Sequence, residues 1–391
     1  MQLFATLAFV VGSAANCPGQ EGLLANPPDP SATGPYPVGA TLGSVKLSSK
    51  RTITVEAWYP AKVGSEKGKS KTGYDIREHT PAKQQKMLAD AANMTYQTCE
   101  CYRDLPVADG SFPVVVFIHG TAAFRTQSLH ENTHWASRGF VVFAADHPGI
   151  QLKDLLGLID FIIPPKTDQS GDARGILKAV SELTSSSPSF ANLAGHVDMS
   201  RVGVSGHSAG GGALRNFGDV ADVLIPMAGD APNPGKRLKS TLVLGADMDG
   251  VAGRQGDAYN DSIVTPKRFA EVDRLGHLFC SDLCWIGEDA GGIVQIAEDH
   301  GIKAAAVFGG LGNDGCSFQN KAKGTHYLEP HCGWQFTNYA SAAAFEEVLR
   351  CDRSMATKLT TMKSAIPIPS GCPKNLVNDY REQLNADTII V

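Results

Sequence analysis

The stretch Val202–Gly211, VGVSGHSAGG, begins with an apolar run and then frames Ser208 with Gly206 and Gly210. A serine with a glycine two residues before and two residues after it is a weak motif alone, since the chain contains 41 glycines. A buried strand before it and a helix after it would form a sharp turn that lifts the hydroxyl clear of a sheet. The run before Ser208 predicts such a strand, and the residues from Ala209 onward predict such a helix. We therefore interpret Ser208 as a nucleophile rather than as a small residue in a glycine turn.

Continuous apolar runs rich in β-branched residues recur along the chain and alternate with helical stretches. Such runs are typical of parallel strands that are buried on both faces. The alternation predicts an α/β fold, with a doubly wound, mostly parallel sheet and helices on both of its faces. The predicted strands are Arg51–Tyr59, Phe112–Ile118, Gly139–Ala145, Val202–Ser205, Val223–Pro226, Thr241–Gly245 and Lys267–Asp273, and the predicted helices are Gln84–Asn93, Gly171–Leu183, Ala209–Phe217 and Phe336–Cys351.

A serine hydroxyl attacks at neutral pH only when a base accepts its proton and an acid orients that base. His277 follows a predicted strand and comes after the serine in the chain, so we predict that it is the base. Asp249, which follows the strand Thr241–Gly245, is the favoured acid. Asp230 is the alternative, and Asp247 is a third choice that we expect to support the loop. The carboxyl ends of parallel strands meet at one edge of a sheet, so these positions should lie close together.

The oxyanion formed by such an attack requires two backbone N–H donors. We expect one from Ala209, directly after the nucleophile, and one from Thr121, in the His-Gly-Thr sequence after a predicted strand. The alternative for that sequence is a plain turn. His207 and Ala122 are expected to line the pocket, and His119 to be hydrogen-bonded scaffold.

Length, composition and charge limit the class of protein. The chain has 391 residues and 42% hydrophobic residues, which predicts one large domain over residues 16–391. The net charge is −5 and no long basic run is present, so nucleic acid is not an expected partner. We expect a monomer without a transmembrane segment. Cys316, His326, His331 and Cys332 have no zinc-module spacing, so neither a metal nor another cofactor is expected.

The start of the chain and the cysteines suggest export. The apolar run Leu3–Val11 and the small residues after it predict a signal peptide over residues 1–15, although a positively charged start is missing. A buried strand or helix start is the alternative. The nine cysteines favour a secreted protein, extracellular or periplasmic, with disulfides such as Cys280–Cys284 and Cys351–Cys372. The odd number leaves one thiol unpaired.

Several segments carry a resemblance to a known superfamily: Val55–Pro60, Phe112–Gly120, Trp135–Asp146, Asp198–Gly211 and Thr241–Ala252. With them the chain resembles the α/β-hydrolases, and within that superfamily both the cutinase-like polyester hydrolases and the platelet-activating-factor acetylhydrolases. The resemblance covers about residues 40–280 and the helix at 336–351. Asp249 occupies the position of the acid in the cutinase-like pattern. The acetylhydrolases take their acid one strand earlier, which is the position of Asp230.

The resemblance implies a secreted serine carboxylic-ester hydrolase that works through an acyl-enzyme on a small-molecule, lipid or polymer ester. Phospholipid acetylhydrolase-type activity, peptidase or acyltransferase chemistry, and a non-catalytic binding protein with a hydrolase fold are the alternatives. His207 before the nucleophile, and the lack of a Trp after the strand Val223–Pro226, argue against an aromatic polyester as the substrate. Residues from about 281 to 334 do not match the resemblance. We expect them to form a disulfide-held lid or a surface decoration.

Overall fold

A computed structural model describes residues 22–253, 255–303, 308, 310–385 and 388–390, with the backbone alone for Ala322, Lys323 and 388–390. The predicted signal peptide at residues 1–15 lies outside the described residues.

An 11-stranded sheet forms the centre of the molecule, and a two-stranded ribbon of β3 and β4 lies apart from it. The strand order in the large sheet is β13-β12-β11-β10-β9-β8-β6-β7-β2-β1-β5. The central strands from β7 to β11 pair in parallel, while β2 pairs antiparallel with β7, and β12 antiparallel with β11. The strands, in chain order, are β1 Val38–Ser48, β2 Arg51–Pro60, β3 Gly73–Asp75, β4 Tyr96–Thr98, β5 Cys101–Arg103, β6 Phe112–Ile118, β7 Val141–Ala145, β8 Val197–His207, β9 Val223–Met227, β10 Ser240–Ala246, β11 Lys267–Val272, β12 Val377–Asn385 and β13 Thr388–Ile390.

Helices cover both faces of this sheet. One face packs against α2, α9 and α10, and the other packs against α4. The predicted fold class, a doubly wound and mostly parallel α/β sheet, is therefore confirmed. The helices are α1 Ala82–Met87, α2 Leu129–Ser137, α3 Leu152–Gly157, α4 Gln169–Ser181, α5 Ala209–Ala213, α6 Gln255–Asp261, α7 Gly292–Asp299, α8 Asn320–Lys323, α9 Pro330–Leu349, α10 Ser354–Thr360 and α11 Met362–Ala365.

The strand β6 shows how the apolar runs are used. All seven of its residues are buried. Val115 and Phe117 belong to the core that α2 and α9 cover, whereas Val114 and Val116 belong to the core on the opposite face. Full burial of each such side chain contributes about 1.5–3 kcal/mol to the stability of the fold. Because both faces of the strand are buried, every position favours an apolar residue, and the run is unbroken.

Two predicted helices are shorter than their patterns indicate. The segment predicted over Ala209–Phe217 is the five-residue α5 followed by a 3₁₀ turn at Leu214–Asn216. Three consecutive glycines in α5 explain this, because glycine is a poor helix former. The segment predicted over Gln84–Asn93 begins two residues earlier, as α1, and ends at Met87.

The expected disulfide pairs are wrong. Cys284 pairs with Cys316 and Cys372 pairs with Cys332, while Cys280 is a buried free thiol. A further disulfide joins Cys99 to Cys101. These two disulfides link cysteines 32 and 40 residues apart, farther along the chain than in either expected pair. In the chain-entropy description, a disulfide that closes a loop of that size stabilises the folded state by about 3–4 kcal/mol, because it lowers the entropy of the unfolded chain.

A third apolar cluster lies against the carboxyl edge of the sheet. It draws side chains from four separate parts of the chain: Ile76 and Leu88, Phe124, Leu152 and Leu156 of α3, and described residues from Leu278 to Cys316. We call this cluster the cap. Within the described part of the chain, no helix has the length and apolar character that crossing a bilayer requires.

Candidate active site

Ser208 lies at the sharp turn between β8 and α5. Its backbone angles are φ +56° and ψ −122°, a combination that a residue other than glycine rarely adopts. The Ser208 N–H donates to the carbonyl of Met227 at 2.8 Å, and the Ser208 carbonyl accepts from Gly212 at 2.9 Å. The turn is therefore held from both sides in a strained conformation, as is common where a side chain must be presented to a ligand.

The two glycines that frame the serine are required by close backbone approach. A Cβ atom on Gly206 would lie 2.5 Å from the carbonyl oxygen of Gly210. A Cβ atom on Gly210 would lie 2.1 Å from the carbonyl oxygen of Ile118, the last residue of β6. No side chain fits at either position, so the glycines allow α5 to pack directly on the strand ends.

His277 and Asp249 form a buried pair. The ring Nδ1 of His277 lies 3.0 and 3.1 Å from the two carboxylate oxygens of Asp249, and both side chains are fully buried. The N–H groups of Val251 and Ala252 donate to Asp249 Oδ1, each at 2.8 Å. Burial by itself would raise the pKa of Asp249, but the hydrogen bond and charge of His277, with those N–H groups, outweigh it and lower the pKa. The acid is thus held as a carboxylate.

The other two aspartates lie elsewhere. Asp230 is exposed, and its carboxylate is 4.0 Å from the guanidinium of Arg215. Asp247 is also exposed as a residue, and desolvation of its carboxyl, followed by the charge of Asp273, raises its pKa. Of the three aspartates considered, Asp249 is the one that the structure brings to the His277 ring.

Ser208 and His277 line the same cavity, together with Thr121, Ala122 and His207. The Nε2 atom of His277 is buried and has no hydrogen-bond partner among the described residues. Its Nδ1 is engaged by Asp249, so Nε2 is the ring atom left to exchange a proton with a group in the cavity.

The backbone N–H groups of Thr121 and Ala209, the expected oxyanion donors, have no hydrogen-bond acceptor among the described residues, whereas the N–H of the neighbouring Ala122 has one. The N–H of Ala122, which has φ +59°, donates to Ile150 at 2.8 Å and is occupied. The structure shows no acceptor among the described residues for the N–H of Thr121. Ala209 opens α5, where the first N–H groups have no intrahelical acceptor. Thr121 and Ala209 therefore retain free donors beside Ser208.

A hydrogen-bonded chain joins the loop after β6 to the turn that carries His277. The N–H of Gly120 donates to Gln127 Oε1 at 2.8 Å, and Gln127 Nε2 donates to His207 Nδ1 at 2.7 Å. His207 Nε2 then donates to the carbonyl of His277 at 2.8 Å. Burial and the neighbouring His277 lower the pKa of His207 to about 3, so its ring is neutral. We call this chain the Gly120 relay.

His119 is also a buried, neutral ring. Its Nδ1 donates to the carbonyl of Gly120 at 2.7 Å, and its Nε2 accepts the N–H of His147 at 3.1 Å. Burial, followed by the effect of His147, lowers its pKa to about 3. With both ring nitrogens engaged, His119 supports the loop rather than the cavity.

The two cysteines considered as metal ligands are both in disulfide bonds. Cys316 and Cys332 are in disulfides with Cys284 and Cys372. His331 lies beside the second of these disulfides, but bonded sulfur atoms are not thiolate ligands. His326 is exposed.

The cavity above Ser208 is small and mainly apolar. Its volume is about 80 Å³, compared with roughly 10–15 Å³ for one water molecule on the same measure. Side chains of the cap line it, among them Leu152, Leu156, Ile296 and Phe308. Described residues of the segment that does not match the resemblance, from Leu283 to Gly312, thus contribute to the lining of the cavity.

Sequence reasoning missed two residues at this site. Gln127 connects Gly120 to His207, and Asp314 accepts the backbone N–H of His277 at 2.7 Å. Gln127 bonds the ring of His207, 80 residues further on, and Asp314 bonds a backbone N–H 37 residues earlier, so no spacing within the sequence marks them.

Three comparisons with known proteins match different portions of the chain. Residues 26–149 match the sequence model of the family "Platelet-activating factor acetylhydrolase, isoform II". A segment of 159 residues, 39% of this chain, is 31% identical to the bis(hydroxyethyl) terephthalate hydrolase of Streptomyces coelicolor. The chain spans less than half of that relative, since the match covers 44% of its length.

A solved structure shows the same fold. The ferulic acid esterase of Streptomyces cinnamoneus superposes with a TM-score of 0.54 at 20% identity, over 81% of this chain and 91% of that one. Together these matches confirm the predicted α/β-hydrolase fold and the resemblance to both groups of hydrolases. The family match ends at residue 149 and so includes none of Ser208, Asp249 and His277.

Gly210→Ala tests the close approach at the turn. We expect it to lower the free energy of unfolding by about 1–3 kcal/mol, because the new methyl group meets the Ile118 carbonyl. Gly212→Ala is the matched control: its Cβ would have 3.5 Å to the nearest atom, and alanine in a helix is favoured by about 0.5–1 kcal/mol. Urea unfolding compares the two, and equal stabilities would contradict the packing described.

His207→Asn tests the buried neutral ring. The folded pKa of His207, about 3, lies below the value of about 6.5 expected for the unfolded chain. Between these pH values the unfolded state binds more protons, so this residue makes the fold less stable as the pH falls from 6.5. We expect the thermal transition of the variant to fall less steeply between pH 6.5 and 4 than that of wild type. The exposed His326→Asn should leave the slope unchanged, and parallel curves for all three proteins would refute the prediction.

Proposed function

We propose that this protein is a serine hydrolase that cleaves carboxylic esters through an acyl-enzyme. The observation that carries the proposal is one cavity lined by both Ser208, in its strained turn, and His277, whose Nδ1 is held by Asp249 and whose Nε2 has no hydrogen-bond partner among the described residues. The named relative and the solved structure are both described as hydrolases of esters, which supports the reaction class.

In the first half of the proposed reaction, Ser208 Oγ attacks the ester carbonyl while His277 Nε2 accepts its proton. Asp249 keeps the other ring proton on Nδ1 and stabilises the imidazolium that forms. The tetrahedral intermediate collapses when His277 returns the proton to the leaving alcohol. The products at this stage are the free alcohol and an acyl group on Ser208.

The oxyanion of the intermediate is the charge that the site has to stabilise. The N–H groups of Thr121 and Ala209 are proposed as its donors, since neither has an acceptor in the described structure. Donors fixed in a cavity with little water are worth roughly 3–4 kcal/mol each to such a transition state.

In the second half, water takes the place of the alcohol. His277 removes a proton from it, the hydroxide attacks the acyl group, and the proton returns to Ser208 as the acid leaves. The proposed cycle uses only side chains, backbone N–H groups and water.

The cavity suggests the size of the acyl group. A volume of about 80 Å³ behind an apolar cap suits a short acyl chain rather than a long one. A phospholipid with a short acyl chain is the second candidate substrate, because the family match at residues 26–149 is to acetylhydrolases. An aromatic ester, as in the name of the terephthalate hydrolase, is a third substrate to include in a panel.

We also propose that the protein is exported and acts as a single domain over residues 16–391. Disulfides at Cys284–Cys316 and Cys332–Cys372 support export, because such bonds persist in oxidising compartments. In this proposal residues 281–334 form a lid over the acyl site.

Ser208→Ala tests the nucleophile. We expect kcat for p-nitrophenyl acetate to fall by at least about 10³-fold, since the acyl-enzyme can no longer form. The thermal transition should be unchanged, because no described residue hydrogen-bonds to the Ser208 hydroxyl. A fluorophosphonate probe should label wild type at Ser208, as shown by peptide mass mapping. Undiminished hydrolysis by the variant would rule out the mechanism.

Asp249→Asn and Asp230→Asn together test the acid. The first should lower kcat by at least about 10²-fold, because an amide no longer holds the imidazole in the required tautomer. The second, which makes the same change at an exposed aspartate near Ser208, should stay within about twofold of wild type. A larger loss in Asp230→Asn would favour the acetylhydrolase-type arrangement.

A further inference from the structure

Asp314 lies in the segment between His277 and α9, to which the proposed reaction assigns no chemical role. Its Oδ2 atom accepts two backbone N–H groups, from His277 at 2.7 Å and from Gly250 at 3.1 Å. His277 carries the proposed base, and Gly250 directly follows the proposed acid, Asp249. One carboxylate oxygen thus joins the turn of the acid to the turn of the base.

Asp314 is itself held firmly. Its Oδ1 accepts the hydroxyl of Tyr327 at 3.1 Å, and its carbonyl accepts the N–H of Leu278 at 3.0 Å. Burial and the Asp314 carboxylate raise the pKa of Tyr327 to about 12, so the hydroxyl stays protonated and donates. Two residues further on, Cys316 is fixed by its disulfide to Cys284.

The backbone around Asp314 also lies close to the turn of the base. A Cβ atom on Gly276 would be 2.6 Å from the N atom of Gly315 and 2.8 Å from Asp314 Oδ2. The absence of a side chain at Gly276 is what allows the carboxylate to reach the N–H of His277.

We propose that Asp314 is a positioning residue for the ester hydrolysis proposed above, on which this inference rests. The two turns are also joined near the strand ends, by the N–H of Met248 and the carbonyl of Leu275 at 3.0 Å. Asp314 bonds each turn two residues further along the chain, at Gly250 and at His277, next to Asp249 and at the base itself. Hydrogen bonds to a charged acceptor are roughly twice as strong as neutral ones. A misplacement of about 1 Å at a reacting group can lower a rate by about 10²-fold.

Asp314→Leu and Asp314→Asn test the role directly. Leucine has a similar shape without an acceptor, whereas asparagine keeps an oxygen for both N–H groups. For p-nitrophenyl acetate we expect Asp314→Leu to lower kcat by about 10- to 100-fold, with KM within about threefold of wild type because the cavity wall is unchanged. Asp314→Asn should retain kcat within about threefold. Asp289→Leu, at an exposed aspartate of the same segment, is the control and should match wild type.

Wild-type kcat in Asp314→Leu would overturn the proposal. A loss of activity that is equally large in Asp314→Asn would also overturn it, and so would a loss that appears as a rise in KM. Either result would mean that Asp314 is needed only for the structure of the cap.

Hydrogen exchange provides a test that does not depend on the leucine variant folding. In the wild-type protein the amides of Gly250 and His277 should exchange far more slowly than that of the exposed Ile163. Exchange at either amide as fast as at Ile163 would overturn the proposal.

Labelling by a fluorophosphonate separates this inference from the function on which it rests. If wild-type Ser208 is not labelled, the proposed reaction fails and the positioning role fails with it. If wild type is labelled and Asp314→Leu is labelled at the same rate, Ser208 remains the nucleophile and only the role of Asp314 is wrong.

Discussion

The distance between α5 and the end of β6 is the constraint on which the rest of the site depends. Gly210 lies against the Ile118 carbonyl with no room for a Cβ atom. Ser208, at the start of α5, has a positive φ and lines the same cavity as Thr121. The proposed nucleophile and the proposed oxyanion donors therefore both depend on this backbone packing, and side chains of the cap line the cavity beside them.

The sequence predicts most of the central sheet and the three principal side chains of the site. Phe112–Ile118 has the bounds predicted for it, because a strand between two cores must be apolar throughout. The outer strands β1 and β12 were not predicted, since a strand with exposed residues mixes polar and apolar residues and resembles a loop. Ser208, Asp249 and His277 could be found because each follows a parallel strand, and such strands end at one edge. Gln127 and Asp314 could not, because their partners are backbone and ring atoms that only the folded chain brings near.

The cap shows how one apolar cover can be assembled from segments that are far apart in sequence. Leu88, Leu156 and Ile296 belong to three such segments and meet in one cluster. An apolar wall lowers the local dielectric, which strengthens the interaction between the His277 ring and the Asp249 carboxylate. The disulfide Cys284–Cys316 fixes the part of the cap that also carries Asp314. One segment therefore lines the cavity and also carries Asp314, the residue proposed to position His277.

The Gly120 relay has a consequence for the response of the site to charge. Each atom in it is either a donor or an acceptor. The N–H of Gly120 donates to Gln127 Oε1, Gln127 Nε2 donates to His207 Nδ1, and His207 Nε2 donates to the carbonyl of His277. Turning any one group would break the bonds on both of its sides, so the dipoles along the relay have a single orientation. A site whose dipoles are already oriented needs little reorganisation energy when charge develops in it, whereas water must reorient to give the same stabilisation. The relay thus replaces solvent with an environment that is polar but rigid.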